Sequence, residues 1–152
     1  MRIGLISDTH GLLRPQAIEA LRGSDHILHA GDIGSEAVLR ELAGLAPIHA
    51  VRGNNDREAW ARAIPEALLL ELGGIRIHVL HDLAELAIDP RAEGVALVVS
   101  GHSHKPRVDD KEGVTFVNPG SAGPRRFRLP VTIARVAVKR GRPSAEIVPL
   151  LG

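Results

Sequence analysis

Apolar runs alternate with amphipathic segments in the first third of the chain. Each run is short and continuous, which is typical of strands that are buried on both faces of a sheet. The runs are residues 2–7, 26–30 and 47–51. One helix pattern begins at Pro15 and ends at Gly23, and a second opens at Ser35. This βαβαβ order predicts a parallel sheet with right-handed crossovers.

The pattern changes after a polar segment that contains Trp60. Residues 66–80 have the pattern of two strands joined by the pair Gly73-Gly74, a strong signal for a two-residue hairpin turn. Turn sequences at 110–113 and 139–144 indicate antiparallel pairing in the last third. We therefore expect two packed sheets with helices on their outer faces.

The segment between the hairpin and the last third predicts one more helix and one more strand. Asp82 and Glu85 have the spacing of a capping box, which predicts a short helix that ends near Pro90. A continuous apolar run over residues 95–100 predicts another buried strand.

Composition narrows the class of protein. The 152 residues are expected to form a single domain over 1–152. The chain has 19 basic and 18 acidic residues, so its charges nearly cancel. This balance indicates neither nucleic acid nor an anionic membrane as a partner. Without cysteine, disulfides and thiolate metal sites are excluded. The first residues have neither a signal-peptide nor a membrane-span pattern, so we expect a soluble cytoplasmic protein.

Metal-capable side chains follow five of the predicted strands. They are Asp8 with His10, Asp32, Asn54, His81, and His102 with His104. The carboxyl ends of strands are the edge at which open α/β sheets bind ligands. Residues two apart in extended backbone point to the same side, so His102 and His104 can face one object. The set predicts a divalent metal site of nitrogen and oxygen ligands.

Each motif by itself has a structural interpretation. An Asp after a strand is commonly a turn or cap residue, and a lone histidine is more often hydrogen-bonded than a ligand. We expect that structural role for four histidines, which are His26, His29, His49 and His78. The ordered set DxH, GD, GNxD, H and GHxH, each at a strand end, favours the metal site.

These ordered motifs resemble the calcineurin-like metallophosphoesterase superfamily. The small size, with "GNND" and "NPGSAGPRR", resembles its compact bacterial and archaeal phosphodiesterase branch, and the resemblance runs from Asp8 to about Arg126. It implies a four-layer αββα sandwich, two mixed β-sheets flanked by helices, with a dinuclear site at one edge. By position, Asp8, His10 and His104 would hold the first ion, Asn54, His81 and His102 the second, and Asp32 would bridge them.

The resemblance also implies an activity, a metal-dependent phosphodiesterase whose catalytic centre includes Asp8, Asp32, Asn54 and His81. A hydroxide shared by two divalent ions would attack phosphorus in line with the leaving group. Two Asp charges against two divalent ions leave a positive site, and the neutral amide of Asn54 preserves that charge. We expect Mn²⁺, with Fe, Ni²⁺, Co²⁺ or Zn²⁺ as alternatives, and a small phosphate-ester substrate.

Two residues depart from the family pattern. Asn55 stands where many relatives have a histidine that assists the leaving group, and where the compact branch commonly has cysteine. Asp82 stands where a glycine usually follows the histidine of the fourth motif. This second departure leaves an alternative for His81, a strand-end histidine capped by the next helix.

Several neighbours of the motifs have two interpretations. Asp56 could orient a ligand histidine or cap the segment 57–62. Ser121 belongs to a tight turn that could also contact phosphate. Four arginines are either solvated or substrate-binding, and these are Arg57, Arg125, Arg126 and Arg128.

Two other functions fit the same fold. One is a phosphomonoesterase, including a protein phosphatase. The other is a non-catalytic scaffold, since the retromer subunit shares this fold, although a complete ligand set argues against it. The sequence leaves the natural substrate and a homo-oligomeric state open.

Overall fold

The computed structural model describes residues 1–151, and they form ten strands and few helices. The strands are β1 (Arg2–Ile6), β2 (His26–His29), β3 (Ile48–Ala50), β4 (Ala67–Leu72), β5 (Ile75–Leu80), β6 (Val95–Val99), β7 (Arg107–Lys111), β8 (Val114–Asn118), β9 (Thr132–Lys139) and β10 (Arg142–Pro149). The α-helices are α1 (Pro15–Leu21) and α2 (Glu36–Ala43), and short 3₁₀ helices span Ala59–Ala63 and Leu83–Glu85.

The first sheet has the strand order β10-β9-β1-β2-β3. β1, β2 and β3 are parallel, as the βαβαβ pattern predicts, and β9 joins β1 in the antiparallel direction. Both α-helices pack on this sheet through small and aliphatic residues, including Ala17 and Leu21 of α1 and Val38 and Leu42 of α2. Pro15 occupies the start of α1, where its missing N–H costs no helical hydrogen bond.

The second sheet has the order β4-β5-β6-β8-β7. β4 and β5 form the predicted hairpin, because Gly73 and Gly74 adopt the positive φ values of 61° and 82° that a tight two-residue turn requires. The two hairpins expected in the last third are present as β7–β8 and β9–β10. However, β8 is also parallel to β6, so the pairing in this region is mixed.

The inner faces of the two sheets share one hydrophobic core. Ile3 and Leu5 of β1 belong to the same buried cluster as Ile77 of β5 and Leu97 of β6. Each fully buried side chain of this size contributes about 1.5–3 kcal/mol of transfer free energy. The core therefore fixes the two sheets face to face, and their strand ends meet along one edge.

The short helix predicted to begin at Asp82 and to end near Pro90 begins there but ends at Glu85. Only one 3₁₀ turn forms, capped by the Asp82 carboxylate, which accepts the N–H of Ala84. Beyond it, Leu86 and Ile88 are half-buried and pack on the outer face of the second sheet with Phe116. Because these apolar residues are two apart, the segment has the period of extended backbone. Within residues 1–151, no helix is long and apolar enough to cross a membrane.

Candidate metal centre

The predicted metal ligands gather at one edge of the sandwich. They follow the carboxyl ends of β1, β2 and β3 in the first sheet and of β5 and β6 in the second. The residues are Asp8, His10, Asp32, Asn54, His81, His102 and His104. The edge is therefore built by both sheets and depends on how the sheets pack.

The carboxylate of Asp8 directs its two oxygens to different surroundings. Oδ2 accepts hydrogen bonds from the Ser7 hydroxyl at 2.7 Å and from the backbone N–H of His102 at 3.1 Å. Oδ1 is buried and has no hydrogen-bond partner. A buried carboxylate oxygen without a partner is costly. Oδ1 is thus the oxygen that suits a cation.

Three imidazoles surround Asp8 Oδ1. The Nε2 atoms of His104, His10 and His81 lie 3.3, 3.9 and 4.0 Å from it. The Nε2 atoms of His10 and His81 are themselves buried without a hydrogen-bond partner. Asp8, His10 and His104 each offer one ligand atom, and these atoms lie within 4.8 Å of one another. Oxygen and imidazole donors at this spacing fit a divalent ion.

Asp32 lies between this group and His81. Its Oδ2 is 3.3 Å from His81 Nε2 and 3.9 Å from His10 Nε2. The backbone N–H of Asn55 donates to Oδ1 at 3.0 Å, and the Asn55 side-chain amide donates to Oδ2 at 3.2 Å. Burial would raise the pKa of Asp32, but the contacts with His81 and Asn55 lower it to about 2. The carboxylate is therefore ionised and held in place.

The ring of His81 is oriented by one strong contact. Its Nδ1 lies 2.7 Å from the carbonyl oxygen of Ala30, so Nδ1 carries the proton and donates it. Nε2 consequently faces the carboxylates of Asp8 and Asp32. Burial alone would lower the pKa of His81, but Asp32, Ala30 and Asp8 raise it to about 9. The site attracts positive charge, a proton or an ion, to this nitrogen.

The remaining predicted ligands are more open. Asn54 is exposed, and the His102 side chain is 46% exposed with its ring 5.2 Å from that of His81. Asp82, the residue that departs from the family pattern, places its carboxylate 3.8 Å from His102 Nε2. Asn54, His81, Asp82 and His102 line a cleft of about 320 Å³ together with Arg52, Gly53, Glu66 and Glu85.

Strained backbone marks the predicted ligands. Five of them have positive φ values, which non-glycine residues rarely adopt. They are Asp8 (54°), His10 (46°), Asp32 (53°), His102 (71°) and His104 (64°). Hydrogen bonds hold three of these positions, since the backbone N–H groups of Asp8, His10 and His102 donate to Gly31, Asp32 and Asp8 respectively. Such strain persists only where the surroundings impose it, and it concentrates at functional sites.

Two glycines permit the close approach of ligand loops. A Cβ on Gly53 would lie 2.1 Å from Asp32 Oδ1, and a Cβ on Gly101 would lie 2.1 Å from the Ser7 hydroxyl oxygen and 2.6 Å from Asp8 Oδ2. No side chain fits at these distances. The glycines that precede Asn54 and His102 are therefore needed for packing against the carboxylates.

Asp56 has neither of the two roles predicted for it. Its buried carboxylate accepts three backbone N–H groups, from Ile33 at 3.0 Å, Gly34 at 3.1 Å and Gly53 at 2.8 Å. It therefore ties the loop after β2 to the loop after β3, and it neither caps the 3₁₀ helix nor contacts a histidine. The last residue of the GNxD motif was the available signal for this clamp.

The "NPGS" segment is a second clamp. The Asn118 amide donates to the Gly101 carbonyl at 2.9 Å and to the Ser103 hydroxyl at 3.1 Å, which fixes the loop of His102 and His104. The Ser121 hydroxyl donates to the Asp8 carbonyl at 3.0 Å and is buried. The Ser121 hydroxyl is therefore engaged by the backbone of Asp8, and its contact with phosphate stays a prediction. Sequence reasoning missed Asn118 and Ser7.

The arginines near the motifs differ in their contacts. Arg57 donates to the Asn54 carbonyl at 3.1 Å, and Arg125 donates to the Leu129 carbonyl at 3.3 Å. Arg126 is exposed, and its charge adds to burial in lowering the pKa of His104. The charge of Arg126 therefore acts on a predicted ligand.

The four histidines expected to be structural are hydrogen-bonded. His29 Nδ1 accepts the N–H of Gly31 at 3.1 Å, so its Nε2–H donates to the Thr9 hydroxyl at 3.0 Å. His78 contacts the Leu68 carbonyl at 2.9 Å, and the rings of His26 and His49 bond each other at 3.1 Å.

Known proteins share the sequence pattern and the fold of this chain. The model of the calcineurin-like phosphoesterase superfamily domain matches residues 1–141. A probable metallophosphoesterase of Methanothermobacter thermautotrophicus is 36% identical over 90% of this chain and 86% of its own length. A solved archaeal protein, described as a novel phosphodiesterase, has a TM-score of 0.80 at 25% identity, covering 97% of this chain and 100% of that one.

The same fold also occurs in a protein of a different name. Vps29 of Entamoeba histolytica has a TM-score of 0.76 at 23% identity, covering 98% of this chain and 99% of that one. At this identity the likeness shows the fold alone, and the two-sheet sandwich predicted from the motifs is confirmed. The family model covers nearly the whole chain, and the chain belongs to the calcineurin-like phosphoesterase superfamily.

Proposed function

We propose that the protein is a metal-dependent phosphodiesterase with a dinuclear site. The observation that carries the proposal is the buried, unpartnered Asp8 Oδ1, with the Nε2 atoms of three histidines 3.3 to 4.0 Å away. Family membership supports a phosphoester substrate, and the similar archaeal structure described as a phosphodiesterase supports a diester.

Two ligand groups would hold the ions. The first ligand group is Asp8, His10 and His104, the second ligand group is Asn54, His81 and His102, and Asp32 would be shared. Two divalent ions, Mn²⁺ in our proposal, would supply a water molecule of lowered pKa and neutralise charge on the phosphate oxygens. With two carboxylates in the set, the loaded site is positive and attracts a phosphate anion.

The chain's own residues keep these ligands in position. Ser7 and the His102 backbone occupy Asp8 Oδ2, which leaves Oδ1 for the ion. The Ala30 carbonyl fixes His81 so that Nε2 is the ligand atom. Asn55 holds both oxygens of Asp32. An asparagine amide donates a hydrogen bond but no proton, so we expect substrates with acidic leaving groups to react fastest.

Hydrolysis of bis(p-nitrophenyl) phosphate tests the proposal. EDTA-treated protein should be inactive, and added Mn²⁺ should restore activity to the wild type and to Asp89→Ala, which changes an exposed carboxylate outside the site. Asp8→Ala should remain inactive. The monoester p-nitrophenyl phosphate, assayed in parallel, should react more slowly than the diester.

Other outcomes favour the alternatives. Faster hydrolysis of the monoester would indicate a phosphomonoesterase. Protein that binds Mn²⁺ fully and hydrolyses neither ester would contradict an enzyme of this kind and would favour a scaffold.

A further inference from the structure

A groove of about 310 Å³ opens beside the candidate metal centre. It shares Asp82 and His102 with the cleft of the second ligand group and continues along β7 and β8. Its volume lies within the range of about 300–1,000 Å³ that small-ligand sites occupy. Since His102 lines both the groove and the cleft, a group attached to a phosphate at the ions can extend into the groove.

One part of the groove is apolar. Leu83 is 41% exposed there, and Phe116, one of three aromatic residues in the chain, is half-buried on β8. The Lys111 ammonium lies 5.7 Å from the centre of the Phe116 ring. A flat aromatic group can pack against such a surface.

The groove also offers unpaired positive charge. Its lining includes Lys105, Arg107 and Lys111, and the charge of Arg107 is paired with Asp109. Lys105 and Lys111 form no ion pair within residues 1–151. An apolar surface with the Lys111 ammonium beside it and Lys105 in the same lining suits an aromatic ligand that carries its own anion.

We propose that this groove binds one ester group of the phosphodiester substrate, an aromatic group that carries a second anionic group. The inference rests on the proposed function, because it places the scissile phosphate at the ions beside His102. The ring packs against Leu83 and Phe116, and the second anion lies between Lys105 and Lys111. A nucleoside with a further phosphate has this chemistry.

Calorimetric titration of the Mn²⁺-loaded protein tests the charged part of the groove. Adenosine 3′,5′-bisphosphate should bind about tenfold more tightly than adenosine 5′-monophosphate, the size expected for one added charge-assisted hydrogen bond. The double variant Lys105→Gln/Lys111→Gln should lose this preference. Lys139→Gln, which changes an exposed lysine of β9, should keep it.

Leu83→Ala tests the apolar part. This substitution should weaken the binding of both nucleotides by about threefold to tenfold. It should leave the binding of inorganic phosphate unchanged. Leu69→Ala is the matched control, because Leu69 is 45% exposed on β4 at the opposite edge of the same sheet.

The outcomes separate the groove from the metal centre. If the double lysine variant keeps the preference for the bisphosphate, or if Leu83→Ala binds nucleotides as Leu69→Ala does, the groove proposal is wrong. If inorganic phosphate fails to bind the Mn²⁺-loaded wild type, the metal centre on which the groove proposal rests is wrong.

Discussion

Two of the three residues in the first ligand group, Asp8 and His104, are buried and His10 is half-buried, whereas two of the three in the second group are exposed. Asp8 is 0% exposed and His104 is 3% exposed. In the second group His81 is buried, but Asn54 is exposed and the His102 side chain is 46% exposed. Both groups have strained backbone, so the difference concerns burial and contacts.

The difference in burial suggests how the proposed two-ion site would be assembled. Burial and hydrogen bonds already hold Asp8 in the geometry that an ion needs, so little ordering remains to be done there. Fixing an exposed side chain such as His102 costs about 0.5–1.5 kcal/mol. We therefore expect the first group to bind its ion more tightly, and the second to exchange its ion more readily beside the open cleft.

The largest effect should come from Asp32, the residue that the two groups share in the proposed site. Asp32→Ala should lower kcat/KM for bis(p-nitrophenyl) phosphate by about 10³-fold, because both ions lose a ligand at once. Steady-state kinetics at saturating Mn²⁺ measure this loss, with Asp89→Ala as the control. If Asp32→Ala keeps most of its activity while His104→Ala abolishes activity, Asp32 is not the shared ligand.

Single ligand removals should separate the two groups. His104→Ala should lower the affinity for the more tightly bound ion by about 100-fold. His102→Ala should lower the affinity for the more weakly bound ion by only about tenfold. Calorimetric titration with Mn²⁺ gives both affinities in each variant. The reverse ranking would show that burial does not decide which group binds more tightly.

The scaffold behind the first group should be sensitive to acid. Burial lowers the pKa of His29 to about 3, from 6.5. The unfolded chain therefore binds more protons than the folded one between these values, and stability present above pH 6.5 is lost as pH falls. At pH 5 the loss is about 2 kcal/mol.

Urea unfolding of EDTA-treated protein at pH 7 and pH 5 measures this loss. His29→Leu lacks the titrating ring, so its stability should fall less between the two pH values, although it is less stable at both. Equal losses in the two proteins would show that His29 does not stay neutral when the chain folds.

The smallest effect concerns the open side of the site. Asn55→His introduces a group that can donate a proton near neutral pH. The substitution should therefore increase the rate of hydrolysis of alkyl esters by about tenfold relative to that of aryl esters. The measurement is a series of diesters with leaving groups of different pKa. If the rate of the wild type already depends only weakly on the pKa of the leaving group, another group protonates the leaving oxygen.

Much of the fold follows from local pattern. The apolar runs of β1, β2 and β6 predict buried strands within one residue of their ends, because continuous burial leaves a clear signal. The segment after Asp82 misled the prediction, because a capping residue also fits a single 3₁₀ turn. The spacing of Leu86 and Ile88 was the stronger signal.

The residues of the site could be predicted from the sequence, but most of their contacts could not. The order of the motifs predicts that Asp8 and His104 lie at one edge. It does not predict the unpartnered Asp8 Oδ1 or the positive φ values, because these arise when the two sheets pack. The clamps made by Asp56 and Asn118 join segments distant in sequence. Neither contact can be predicted from a single sequence, because both depend on tertiary structure.

Calorimetric titration of EDTA-treated wild-type protein with Mn²⁺ tests the central claim most directly. The two ligand groups predict two ions per chain, with dissociation constants that differ by about tenfold or more. Binding of one ion or none at saturating Mn²⁺ would contradict the dinuclear site, and two ions of equal affinity would contradict the difference between its halves.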